Sequence, residues 1–138
     1  MKNSILKILF IAFTFFSIDF VSAQCDEKKL KKECYEKLDN FIFIKSFNIT
    51  EGETTFSYVF SKGTTYLITS CFQDTENKMV VELYDRNKKL IATNYYKKKD
   101  QFFPKIGYQC TATGVYYLKY YFRDQNNTCG TSVIGFKK

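Results

Sequence analysis

The stretch Val115-Tyr116-Tyr117-Leu118-Lys119-Tyr120-Tyr121-Phe122 decides the fold. In a strand, successive side chains point to opposite faces. Tyr116, Leu118, Tyr120 and Phe122 therefore share one face, and Tyr117, Lys119 and Tyr121 share the other. A face so apolar must be core, which fixes the register and leaves tyrosines beside a lysine on the outer side. Segments on either side repeat the pattern. Phe41–Phe47 is apolar and partly alternating, and Thr54–Phe60 aligns Phe56, Tyr58 and Phe60. Thr64–Phe72, Met79–Tyr84, Lys89–Asn94, Gln101–Tyr108 and Gly130–Phe136 follow, separated by short polar turns, with Pro104 marking an edge strand or a bulge. About eight short strands at regular spacing predict an all-β fold, an antiparallel, jelly-roll-like β-sandwich over residues 41–138.

Residues 24–40 read differently. Leu30, Cys34 and Leu38 recur at the helical period, and Glu27/Lys31 and Glu33/Lys37 are favourable pairs one turn apart, so Asp26–Asn40 is predicted as a short N-terminal helix. Lys28, Lys29, Lys31 and Lys32 make it basic. Such a helix suits an anionic membrane surface, but its apolar stripe is narrow, and packing on its own domain with the lysines in water is the expected arrangement.

Residues 1–23 have the three parts of a secretory signal: Lys2 and Lys7, the apolar run Ile8–Phe16, and Val21-Ser22-Ala23 with small residues at the cleavage positions. Cleavage is expected after Ala23, giving a secreted or periplasmic product. The run is about half of what a membrane span requires, and no later segment is long and apolar enough for one, so the mature form is expected to have no transmembrane span.

All five cysteines (Cys25, Cys34, Cys71, Cys110 and Cys129) follow the signal, where disulfides are permitted. An odd number leaves at least one thiol unpaired within the chain. The absence of His and of any Cys-x-x-Cys argues against a metal site, and no cofactor is implied. Val115–Phe122 and Gly130–Phe136 are expected to pair as a hairpin, which puts Cys110 and Cys129 at opposite ends and disfavours their bridge. Cys71 and Cys129 are then the expected pair, with one further bridge among Cys25, Cys34 and Cys110. A continuous helix would hold Cys25 and Cys34 about 13 Å apart.

The net charge of +7 comes almost wholly from lysine. Phosphate recognition usually recruits Arg, and only Arg86 and Arg123 are present. The abundance of Lys, Asn, Ile, Phe and Tyr matches an AT-rich genome instead. Tyr95-Tyr96-Lys97-Lys98-Lys99 with Phe102-Phe103 interleaves aromatic and basic residues as single-strand nucleic-acid grooves do. An exported protein rarely meets nucleic acid, and a charged hairpin guarding an edge strand accounts for the same composition.

Val80-Val81-Glu82-Leu83-Tyr84-Asp85 with Lys89-Leu90-Ile91-Ala92-Thr93, and Thr113-Gly114-Val115-Tyr116-Tyr117-Leu118, resemble strand–turn–strand motifs of bacterial pre-peptidase C-terminal domains. Ser22-Ala23-Gln24 and the segment from Cys129 to Phe136 resemble small, uncharacterised exported proteins of Bacteroidota. The resemblance implies a non-catalytic sandwich and carries over no site residue.

Asp74, Glu76, Glu82 and Asp85 are acids close in sequence, without the spacing of a calcium loop, and read as solvated turn charges. Tyr117, Lys119 and Tyr121 are the candidate ligand-binding residues, because exposed tyrosines beside a lysine suit sugar rings, although cross-strand pairing produces the same pattern. The expected function is a non-enzymatic binding module of the cell envelope, with a surface glycan or an envelope protein as partner. The alternative is a secreted inhibitor or toxin-like effector acting on a partner protein; a hydrolase using Glu82 or Asp85 is the third reading.

Overall fold

The structure, a computed structural model, describes residues 25–126 and 128–138. The expected leader and its cleavage point lie outside the described residues. Helix α1 spans Glu27–Glu36, starting where the Asp26 side chain accepts from the Lys29 backbone N–H at 3.1 Å. It ends before the expected Asn40, because Asp39 adopts a left-handed φ of 53° and turns the chain into the sheet.

Among the described residues ten strands follow: β1 Ile42–Ile49, β2 Glu53–Phe60, β3 Thr65–Phe72, β4 Met79–Tyr84, β5 Leu90–Thr93, β6 Tyr95–Tyr96, β7 Gln101–Phe102, β8 Lys105–Gln109, β9 Gly114–Phe122 and β10 Gly130–Lys137. Eight of them form two four-stranded sheets, β1-β10-β3-β8 and β2-β9-β4-β5, with every pairing antiparallel. The chain crosses between sheets at nearly every connection, and its first and last sandwich strands are neighbours, which is jelly-roll topology. The expected strand Gln101–Tyr108 is broken at Phe103-Pro104, leaving the two-stranded hairpin β6–β7 and the sheet-edge strand β8.

The expected hairpin between Val115–Phe122 and Gly130–Phe136 does not form. β9 and β10 lie in opposite sheets. A seven-residue connection can either reverse within a sheet or cross the roughly 10 Å between two packed sheets, so its length does not choose. Burial chooses: β9 is buried on one face, whereas Gly130 to Gly135 are all buried because α1 covers the outer face of their sheet.

Three layers result: helix, helix-covered sheet and open sheet. Between the sheets, Phe60 stacks on Tyr66 (centroids 3.9 Å) and Tyr116 (4.9 Å). The Tyr120 hydroxyl crosses to Ser132 Oγ at 2.8 Å. Between sheet and helix lie Leu30, Cys34, Leu38, Leu67, Cys71 and Val133, where burial of each leucine is worth about 1.5–3 kcal/mol. Gly135 admits this close approach: a Cβ there would stand 2.9 Å from Leu38 Cδ2 and 3.1 Å from the Ile42 carbonyl.

The disulfides correct the expected pairing. Cys25 joins Cys129 (Cα–Cα 5.4 Å) and Cys34 joins Cys71 (5.7 Å); Cys110 is a buried free thiol. β3 and β10 do run side by side, with Thr131 opposite Cys71. However, Cys71 lies on the sheet face that packs against α1, beside Cys34. Cys25 precedes the helix and reaches Cys129 ahead of β10.

A tyrosine-rich outer sheet face as candidate functional site

Tyr117, Lys119 and Tyr121 lie half-buried on the outer face of the open sheet, as β9's alternation requires. Antiparallel register sets Glu82 and Tyr84 of β4 opposite Lys119 and Tyr117, and Glu53 of β2 opposite Tyr121. The Glu82 carboxylate accepts from the Tyr84 hydroxyl at 2.5 Å and from the Tyr121 hydroxyl at 3.1 Å. Its bond to Glu82, and then burial, push Tyr84 up to about 12; burial, and then the Glu82 charge, push Tyr121 up to about 12. Both phenols are thus neutral donors at physiological pH, clamped on one acid. Lys119 pairs with Glu53 at 3.4 Å and lies 5.6 Å from the Tyr121 ring centre, while the Lys88 ammonium sits 3.4 Å over the Tyr117 ring.

The acids flagged in sequence therefore divide. Asp74 and Asp85 hold turns, accepting from the Glu76 N–H (2.9 Å) and from the Asn87 and Lys89 N–H groups (2.8 and 3.0 Å). Glu82 is not a solvated turn charge but the half-buried centre of the tyrosine cluster. The shared face of Glu82 and Tyr84 is legible from strand alternation; Tyr121, which joins them from β9, requires the register. Among the described residues no three His, Cys, Asp or Glu side chains gather as a metal site.

At one end this face continues into the β6–β7 hairpin. Buried Asn94 pegs its base: its side chain accepts from Val81 N (2.8 Å) and donates to the Met79 carbonyl (3.0 Å), while its carbonyl accepts from Phe103 N (2.8 Å). Tyr95 stacks on Phe102 with centroids 4.5 Å apart, and the Arg123 guanidinium lies 5.1 and 5.2 Å from those rings. Arg123 also pairs with Asp100 and holds its carboxyl below the usual range. The 3-10 turn Lys97–Lys99 projects all its lysines into solvent. Of the interleaved residues, Tyr95 and Phe102 are thus stacked on each other, while Tyr96, Phe103 and the three lysines are exposed.

No family model matches this sequence, and no curated protein matches it. Among solved structures, the chain is similar to Aeromonas hydrophila PliG, a periplasmic lysozyme inhibitor of g-type lysozyme, with TM-score 0.50, 9% identity, and coverage of 71% of this chain and 89% of that one. At that identity the likeness speaks for the fold: an antiparallel β-sandwich shared over most of the smaller molecule.

Proposed function

We propose that this chain is an exported, non-catalytic module that binds a partner protein in the cell envelope, in the manner of an enzyme inhibitor, through the outer face of its open sheet. The carrying observation is the Tyr84–Glu82–Tyr121 cluster with Lys119, Glu53 and Lys88 around it. These polar groups are partnered before any ligand arrives, so little ordering entropy is lost on docking. Tyrosine supplies large contact area with few rotatable bonds, as protein interfaces favour. A sugar-binding reading is less well served, because Lys88 already covers one face of the Tyr117 ring.

The likeness to a lysozyme inhibitor supports the inhibitor reading over a glycan-binding one, and makes a peptidoglycan-cleaving enzyme the first partner to try. Two disulfides suit an oxidising compartment, as does the leader expected from sequence. The test adds purified protein to g-type and other lysozymes and follows lysis of a peptidoglycan suspension, with a glycan array in parallel. Inhibition that falls more than tenfold in Tyr117→Ala/Tyr121→Ala supports the reading. Glycan-array binding without capture of any lysozyme would replace it.

A further inference from the structure

A second surface stands apart from the tyrosine face, on the opposite side of the sandwich. The inward stripe of α1 (Leu30, Cys34, Leu38) is spent on the helix-covered sheet. Its outward stripe, at spacings of three and four residues, is Lys28, Lys31, Lys32 and Tyr35. By itself this stripe lacks the apolar content to hold a membrane. The tertiary structure supplies it from β1: Phe43 comes within 5.9 Å of the Tyr35 ring, and Lys31 lies 6.0 Å from the Phe43 ring centre. Tyr35 and Phe43 are 56% and 38% exposed. Lys28, Lys31, Lys32, Tyr35 and Phe43 line a groove of about 370 Å³; Phe43 also lines a second, of about 600 Å³, edged by Lys62 and Lys138. Neither lining contains an acid or an arginine. Of the acids of α1, Glu27 accepts from Asn48 at 3.0 Å and Glu33 lines the helix's other flank, while Glu36 is exposed one turn beyond Lys32, at the edge of the stripe.

We propose that this patch rests on an anionic bilayer surface. Tyr35 and Phe43 enter the boundary between headgroups and acyl chains, and Lys28, Lys31 and Lys32 meet lipid phosphates. Charge chemistry favours a lipid surface over an acidic protein. Lysines are point charges on flexible stems that lie along apolar groups while their heads stay in water, which suits a diffuse anionic plane. Pairing with a partner's carboxylates draws on the arginine fork, absent here. Docking on this side leaves the tyrosine face pointing away from the membrane, free for a partner.

Co-sedimentation with phosphatidylcholine–phosphatidylglycerol vesicles and with pure phosphatidylcholine vesicles tests this, using one purified, oxidised chain whose N-terminus is fixed by mass spectrometry and is the same in every variant. Binding should require the anionic lipid and weaken with salt. A lysine close to such a surface contributes about fivefold, so Lys28→Gln/Lys31→Gln/Lys32→Gln should weaken binding about a hundredfold. Tyr35→Ser/Phe43→Ser, which leaves charge unchanged, should weaken it more than tenfold. Lys97→Gln/Lys98→Gln/Lys99→Gln, with the same charge change on the hairpin, should bind as the parent does, and each variant should melt as the parent does. Equal loss in the hairpin variant would reduce the effect to net charge and overturn the proposal. So would equal binding to neutral vesicles, or binding to polyglutamate without binding to anionic vesicles.

Discussion

The hydrogen bond from Tyr120 to Ser132 offers the most direct test of the topology, because it exists only if β9 and β10 face each other across the core. Tyr120 is wholly buried and its phenol is pushed above the usual range by burial. Tyr120→Phe removes the donor and leaves a buried serine hydroxyl unpaired; Ser132→Ala strands the phenol instead. The net bond is worth about 1 kcal/mol, and an unpaired buried hydroxyl costs about 1–3 kcal/mol. Each single substitution should therefore cost about 1–2 kcal/mol. The double variant, in which neither group remains, should cost little more than either single, giving a coupling energy of about 1–2 kcal/mol. Urea unfolding with both disulfides intact measures this, provided the slope with denaturant is unchanged. Strictly additive costs, agreeing within about 0.5 kcal/mol, would show that the hydroxyls do not meet and would refute the crossing of β9 and β10 into opposite sheets.

Two further outcomes follow from the disulfides and the tyrosine cluster. Non-reducing peptide mapping should yield Cys25–Cys129 and Cys34–Cys71 peptides, with Cys110 alkylated only after unfolding; losing the 104-residue loop closure should cost about 4–5 kcal/mol in the chain-entropy model. Tyr84 and Tyr121 are raised to about 12 in the fold against 10 in the unfolded chain, so their contribution is fully present below pH 10 and lost as pH rises from 10 to 12; tyrosinate absorbance should show both titrating late, together with Tyr116 and Tyr120, and Glu82→Gln should lower Tyr84 most and Tyr121 in part, since burial is the larger cause at Tyr121.

Alternation is a local property, which is why the strands were readable one by one. The inward set Tyr116, Leu118, Tyr120 and Phe122 and the outward set Tyr117, Lys119 and Tyr121 are where period two places them. The α1 stripe was readable for the same reason at period 3.6, and α1 buries Leu30 and Cys34. The pairing of Glu82 with Tyr84 needed only two residues of one strand. Its third member, Tyr121, is 39 residues away, and no local pattern announces it.

By itself, then, the sequence determined the class of fold, the faces that β2 and β9 bury, and the presence of a short basic helix, since these follow from the order of apolar and polar side chains along a few residues. Only the tertiary structure decided which strands are neighbours, which cysteines meet, and which surfaces are composite. A seven-residue connection serves a hairpin or a crossover equally well, and the difference lies in whether β10 is covered on both faces. That depended on α1, held against β3 and β10 by Leu30, Leu38, Val133 and the Cys34–Cys71 bridge. The same docking drew Cys71 away from Cys129 and set Tyr35 beside Phe43, because a helix that buries one stripe fixes where the other must face.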